Sequence, residues 1–316
     1  MRPRCQASME CGIQSMHILI LGGTGMLGHK LFQHLRERFS ETYCTIRGSI
    51  DQPLLRSIDL FHAGGVIERC DAGDSRMLEK LLLKHRPRVV INCIGIVKQR
   101  AEAKKAVPSI AVNALLPHLL AGLCDRWGGK LIHFSTDCVF SGKCGSYQES
   151  DITDAEDLYG RTKALGEIID GTTLTVRTSI IGRELTHSDS LLEWVLRQDH
   201  KHISGYTRAM YSGVTTSYMA RVVANLIEAP SSPSGLFQVA SDTISKFDLL
   251  CLIKEAYGLD VAISPDPTFF CDRSMKGDKF AKATGQVCPA WPDLVAELAN
   301  DDTPYDRWKQ AQAAAF

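Results

Sequence analysis

The stretch Leu21-Gly22-Gly23-Thr24-Gly25-Met26-Leu27-Gly28 constrains the fold of this chain more than any other. An apolar run, His17-Ile18-Leu19-Ile20-Leu21, enters it, and Leu27, Leu31 and Leu35 leave it at four-residue spacing. Strand, glycine-rich turn and helix, in that order, make up the phosphate-holding βα unit of a dinucleotide site. Glycine lets backbone N–H groups approach a pyrophosphate closely, and the start of the helix adds its positive dipole. The candidate cofactor contacts in this turn are Gly22, Thr24, Gly25, Met26 and Leu27.

Further along, apolar β-rich runs alternate with helical patterns. Strands are expected at 42–46, 66–70, 88–92, 130–135 and 174–180, and helices at 75–85, 110–126 and 158–169. Continuous apolar strands separated by helices predict an α/β fold, a Rossmann-type doubly wound parallel sheet covered on both faces. Near Gly182 the rhythm changes. Helices at 190–197, 217–227 and 245–257, a strand at 261–263 and a Pro-rich stretch predict a smaller, irregular C-terminal lobe. The expected division is a disordered extension at 1–15, a dinucleotide-binding domain at 16–182 and a mainly substrate-binding lobe at 183–316. Segments of that lobe are free to return to the first domain.

Lys and Arg balance Asp and Glu at 36 each in the 316 residues, so no net field argues for nucleic acid or an anionic membrane as partner. No apolar run is read as approaching the roughly 20 residues of a membrane span. The 11 cysteines are scattered, without a CxxC pair or a His cluster at zinc spacing. That pattern fits buried thiols in a reducing compartment, and the expected location is the cytoplasm. No cluster of acids calls for a metal.

Tyr159 and Lys163 stand four residues apart on an expected helix and so share one face. A neighbouring ammonium favours the phenolate and lowers the phenol from its ordinary pKa of about 10. Such a pair can exchange a proton during alcohol–ketone interconversion. Lys163 is also placed to bond a nicotinamide ribose. Upstream, the strand ending in Ser135 releases Thr136, Asp137, Cys138 and Val139 at its carboxyl end, where ligands of open α/β sheets bind. Thr136 is the candidate hydroxyl for a substrate carbonyl, and Ser135 a cofactor contact. Asn92, Cys93, Ile94 and Gly95 end the fourth strand and are expected beneath the pyrophosphate and ribose.

The motifs Gly22–Gly28, Val112-Asn113-Ala114, Ser135-Thr136-Asp137-Cys138-Val139-Phe140, Tyr159-Gly160-Arg161-Thr162-Lys163 and Val176-Arg177-Thr178-Ser179 together resemble the extended short-chain dehydrogenase/reductase superfamily. Within it, the resemblance runs to the dTDP-4-dehydrorhamnose reductase family. It implies Thr136, Tyr159 and Lys163 as the catalytic trio. It also implies a nucleotide-activated 4-keto-6-deoxyhexose substrate, reduced at C4 by NAD(P)H. Asp137, Cys138 and Val139 then become substrate contacts. Related 4,6-dehydratases carry Thr-Asp-Glu here, and Cys138 in place of that glutamate argues against a dehydratase. The reductases usually have tyrosine where Cys138 stands.

At the end of the second strand, where an acid would bond the ribose of NAD, stand Arg47-Gly48-Ser49. Arg47 there is either a partner for a 2′-phosphate or a solvated loop residue, and NADP is preferred over NAD. Asp71 resembles the superfamily's adenine-contacting acid or caps the helix after it. Arg208 and Arg273 are candidates for the substrate diphosphate, because guanidinium binds phosphate with two donors at once. Residues 211–216 either line the sugar pocket or cap the helix after them, and Trp291 and Trp308 read as packing residues. Two other functions remain open. One is a non-catalytic binding subunit like the β subunit of methionine adenosyltransferase. The other is a sugar-nucleotide epimerase that retains NAD. A homodimer would pair the helices expected at 110–126 and 158–169, with Leu115, Leu119 and Leu123 on the contact face or in the core.

Overall fold

A computed structural model describes residues 18–98, 101–186 and 188–314, so the expected extension 1–15 lies outside the described residues. In chain order the strands are β1 (Ile18–Leu21), β2 (Thr42–Thr45), β3 (Val66–Ile67), β4 (Val89–Asn92), β5 (Lys130–Ser135), β6 (Leu174–Arg177), β7 (Ile180–Ile181), β8 (His202–Tyr211), β9 (Val214–Thr215), β10 (Gly235–Gln238), β11 (Ile244–Ser245) and β12 (Ala262–Asp272). Seven of them form one sheet in the order β10-β6-β5-β4-β1-β2-β3. Every pairing in it is parallel. From β1 the chain winds outward through β2 and β3 on one side, and from β4 through β5 and β6 on the other. The fold is the doubly wound Rossmann type, and the β1/β4 boundary is where the winding reverses. In open α/β sheets, ligands bind at the carboxyl ends of the strands at such a reversal.

Alternation along β1 feeds two cores. Ile18 and Ile20 join Leu31, Phe32 and Leu35 on one face of the sheet. Leu19 and Leu21 join Leu78, Leu82, Leu116 and Leu120 on the other. Each such buried side chain contributes about 1.5–3 kcal/mol, and helices cover both faces as a parallel sheet requires.

Several expected boundaries shift. β6 stops at Arg177, and the residues beyond it form β7, which pairs with β9 instead. The helix carrying Tyr159 runs only over Leu158–Leu165. It ends where Gly166 packs on the Asn113 carbonyl, so closely that a Cβ there would lie 2.0 Å from the oxygen. The helix expected at 110–126 begins earlier and spans Ala106–Asp125. Its middle, Ile110–Leu115, is a π-turn. Pro117 lacks the N–H that would bond the Asn113 carbonyl, so the regular ladder cannot close there. At 20 residues this helix is long and apolar enough to cross a membrane, which corrects the reading that no such run exists. Leu116, Leu120 and Cys124 bury one side of it against the sheet.

The C-terminal half returns to the first. β10 extends the main sheet beside β6. Helix Thr216–Glu228 packs on helix Met26–Arg38. Tyr305 bonds His29 at 2.8 Å, and Asp301 pairs with Lys30 at 2.7 Å. A separate three-stranded sheet, β11-β8-β12, forms the smaller lobe. β12 contains Pro265 and Pro267 and breaks register between Asp266 and Phe270. Proline cannot donate to a ladder, and β12 tolerates it as an edge strand. The strand expected at 261–263 thus continues to Asp272 through the Pro-rich stretch.

One buried ion pair ties β6 to the segment after the Tyr159 helix. Arg177 holds both Glu167 oxygens at 2.7 Å, with the side chains 4% and 6% exposed. Ser135 also donates to Glu167 at 2.6 Å. Arg177→Met strands that carboxylate, and unfolding in urea should show a loss of about 3–5 kcal/mol. Adding Glu167→Gln should recover much of it. A double variant as weak as the single one would contradict this account.

Candidate active site

The site grows from three segments that end at the same edge of the sheet. The first is the turn after β1. Gly22 has φ +89°, a conformation natural to glycine, and its N–H donates to Thr45 Oγ1 at 3.1 Å. A Cβ on Gly28 would lie 2.1 Å from the Gly22 carbonyl, so no other residue lets the helix start this close to the turn. Gly25 precedes helix Met26–Arg38 with no side-chain cap, and the first turn carries no acid. Uncapped N–H groups therefore stand at that edge, the arrangement that binds phosphate. Thr24 and Met26 are half-buried beside them, and Leu27 is buried.

The second segment follows β4. Asn92 is buried, with its Nδ2 3.1 Å from His133 Nδ1 and its Oδ1 accepting from Ile94 N–H at 3.1 Å. Cys93 and Ile94 back the glycine turn, Ile94 Cγ1 lying 3.1 Å from where a Gly22 Cβ would stand. Gly95 is exposed. Asn113 clamps the next residue, its amide accepting from Ile96 N–H at 2.9 Å and donating to Ile96 O at 3.1 Å. The Val112-Asn113-Ala114 motif does not by itself reveal this task for Asn113. Its place in the π-turn is what aims it at the loop.

The third segment joins the end of β5 to helix Leu158–Leu165. Gly160 lets them meet, since a Cβ there would lie 2.2 Å from the Cys138 carbonyl. Asp157 caps the helix through Gly160 N–H at 2.8 Å. Thr136 Oγ1 accepts from Cys138 N–H at 3.1 Å and donates to Asp137 Oδ1 at 3.0 Å. The Tyr159 phenol is buried close to the Thr136 hydroxyl. Lys163 is buried, and its Nζ donates to the Phe134 carbonyl at 2.6 Å.

These environments correct the expected electrostatics. The ammonium was expected to lower the phenol. Burial, reinforced by Cys138, instead raises Tyr159 well above its ordinary value. Burial also lowers Lys163 to about 8, against the opposing pull of Glu167 and Cys93. The phenol is held protonated, and the ammonium stays charged at neutral pH beside it. Cys138 is pushed up to about 12 by burial and is not a thiolate.

The remaining candidates scatter. Val139 is 0% exposed in a cluster with Phe140, Tyr147 and Met275, so any contact it makes with a ligand runs through its backbone. Arg273 reaches the site: its Nε donates to Phe140 O at 2.8 Å, and its Nη1 lies 4.0 Å from Cys138 Sγ. Arg208 is exposed on β8, with its guanidinium over the Phe270 ring. Arg47 is exposed at the end of β2. Asp71 is exposed and accepts from Gly73 N–H at 2.9 Å, while Asp74 and not Asp71 caps the helix that follows. Thr215 caps helix Thr216–Glu228 through Tyr218 N–H, and Tyr211 is buried with its ring 5.6 Å from that of Trp291.

A family model described as RmlD substrate binding domain matches residues 16–301. The chain is 32% identical over 151 residues to dTDP-4-dehydrorhamnose reductase of Streptomyces griseus, covering 47% of this chain and 43% of that protein. It is 29% identical over 161 residues to methionine adenosyltransferase 2 subunit beta of Mus musculus, covering 50% of this chain and 43% of that one. These matches thus span under half the length of either relative. A crystal structure of dTDP-4-dehydrorhamnose reductase from Bacillus anthracis in complex with NADP has the same fold. Its TM-score is 0.73 at 20% identity, over 90% of this chain and 98% of that one.

The sign of the Lys163 shift gives a test. Its folded pKa lies below its ordinary 10.5, so at neutral pH the native chain carries a buried ammonium that unfolding would hydrate. Lys163→Met should therefore raise stability at pH 7 by about 1–3 kcal/mol. The gain should shrink as pH rises from about 8 towards 10.5, where the native lysine is already neutral. Thermal unfolding across that range measures it, and a variant less stable than the parent at pH 7 would contradict the assignment.

Proposed function

The chain belongs to the RmlD substrate binding domain family, and from that premise we propose that it is an NADP-dependent reductase of a nucleotide-activated 4-keto-6-deoxyhexose. The observation that carries this reading is the junction of the Tyr159 helix with the strand end that carries Thr136, where Gly160 meets the Cys138 carbonyl and the buried Lys163 donates to the Phe134 carbonyl.

The residues present fit a dinucleotide. The β1 turn is a cradle that a Cβ at Gly28 would fill, and the helix behind it starts uncapped. Gly22, Thr24, Gly25, Met26 and Leu27 would hold the pyrophosphate. Asn92, Cys93, Ile94, Gly95 and Ser135 would lie beneath it, and Asp71 at the adenine. Arg47, exposed where an acid would mark NAD, supports NADP through its 2′-phosphate. Bound there, the reduced nicotinamide supplies a hydride to the sugar's carbonyl carbon.

This chain's own residues manage the proton. Thr136 orients the carbonyl oxygen, and Tyr159 donates its phenolic proton to it. A phenol raised by burial keeps that proton until the oxygen becomes basic during the reaction. Lys163 supports the resulting phenolate with its charge and would bond the nicotinamide ribose. Asp137, Cys138, Arg208 and Arg273 would contact the substrate, and the smaller lobe of β8, β11 and β12 would close over it.

The same reading places the protein in the cytoplasm, without nucleic-acid or membrane partners, consistent with its balanced charge and free cysteines. It further proposes a homodimer. Val107, Ile110, Leu115 and Leu119 on helix Ala106–Asp125, with Leu165 and Ile169 beside them, are exposed apolar residues on neighbouring elements. The likeness to a methionine adenosyltransferase subunit supports a second reading, a regulatory subunit that binds nucleotide without turnover.

Tyr159→Phe decides between the two. It should bind NADPH as the parent does and lose about 10²–10⁴-fold in reduction of dTDP-4-keto-6-deoxyhexose. Parent protein that binds NADPH but oxidises none of it on any keto-sugar nucleotide, and co-purifies with another enzyme, would favour the regulatory role. For the dimer, Leu119→Glu with Leu165→Glu should leave a folded monomer by light scattering. An unchanged mass would remove that face from consideration.

A further inference from the structure

Lys246 has no role in the chemistry above. It opens helix Lys246–Tyr257, directly after the Ser245 cap. Its Nζ stands 3.5 Å from the centre of the Tyr211 ring. Among the described residues no carboxylate lies within ion-pair distance of it. The titratable groups that face it are Asp137, Cys138 and Cys271. Arg273 faces the same three groups and Asp157 as well.

The small sheet makes this convergence. β11 pairs with β8 at Tyr211 and Met210, delivering Lys246 just beyond the Tyr211 ring. β12 pairs with the same strand at Ala209 and Met210, delivering Arg273 just past Asp272. Two cations from different elements thus approach the Asp137–Cys138 wall next to Thr136. Asp137 is a single carboxyl group facing two cations, so it does not neutralise both. Burial lowers Lys246 to about 8, a cost that an aromatic face alone offsets only in part. Thr136 is the proposed carbonyl contact, so an anion between these cations lies close to the sugar. In a nucleotide-activated sugar, that anion is the phosphate attached to the ring.

We propose that Lys246, together with Arg273, grips the sugar-proximal phosphate of the substrate and so sets the requirement for a diphosphate rather than a monophosphate nucleotide. The inference rests on the sugar-nucleotide reading above. Lys246 is a substrate-binding residue here, and the proton path through Tyr159 does not involve it.

The test compares binding of dTDP with dTMP, and of UDP with UMP, by calorimetry on the full chain with NADPH present. The parent should bind the better diphosphate more tightly than its monophosphate. Lys246→Gln should weaken that diphosphate about tenfold and leave the monophosphate unchanged. Lys246→Arg should keep most of the preference, and NADPH affinity should stay the same in every variant as the check on folding. The diphosphate preference should also fade as pH rises through about 8, with Asp137, Cys138, Cys271, Tyr211 and Arg273 as the other groups facing the ammonium. Equal weakening of monophosphate and diphosphate, no weakening at all, or a parent that binds neither diphosphate would overturn the proposal. Failure here is separable from failure of the reductase reading, because nucleotide binding reports on Lys246 and NADPH oxidation reports on Tyr159.

Discussion

A buried hydrogen bond from Lys163 Nζ to the Phe134 carbonyl, 2.6 Å long, ties the helix that carries Tyr159 to the strand that carries Thr136. The rest of the site is arranged around that joint. Gly160 and Gly166 remove the Cβ atoms that would hold the helix away from Cys138 and Asn113. Asp157 fixes the helix start, and Glu167 secures the segment beyond it through Arg177 and Ser135. A charged side chain rather than a packed apolar one makes the joint, and its location costs stability that a fold selected for stability alone would keep.

Desolvation then sets the protonation pattern. It raises the Tyr159 phenol and lowers the ammonium groups of Lys163 and Lys246 to about 8. The direction differs because burial disfavours whichever form is charged. One environment therefore keeps a proton on the phenol and leaves both lysines charged at neutral pH, though less firmly than in water. In the proposed reaction, proton donation to a carbonyl and attraction of a phosphate would draw on the same low-dielectric surroundings.

Much of this was legible from local pattern. The β1 turn, the alternation of apolar strands and helices, and the Tyr159–Lys163 spacing each express a short-range rule: glycine at a tight turn, period two along a strand, four residues along a helix. Other elements break such rules. β12 carries prolines, and β10 begins at Gly235 in a stretch that looks like punctuation. The π-turn at Ile110–Leu115 depends on Pro117 two residues past its end, and that turn is what aims Asn113 at Ile96. Lys246 matched no motif, because a lone lysine at a helix start is usually solvated.

By itself the sequence determined the doubly wound parallel sheet, the winding reversal between β1 and β4, and the chemical types of the groups near it. Those follow from contacts between residues close in the chain. Tertiary structure alone decided which way the Tyr159 phenol shifts, that Asp74 and not Asp71 caps its helix, and that β10 closes the sheet's edge. It also decided that Lys246 and Arg273 face one wall. Burial and long-range register set these outcomes, and both depend on residues brought together from distant parts of the chain.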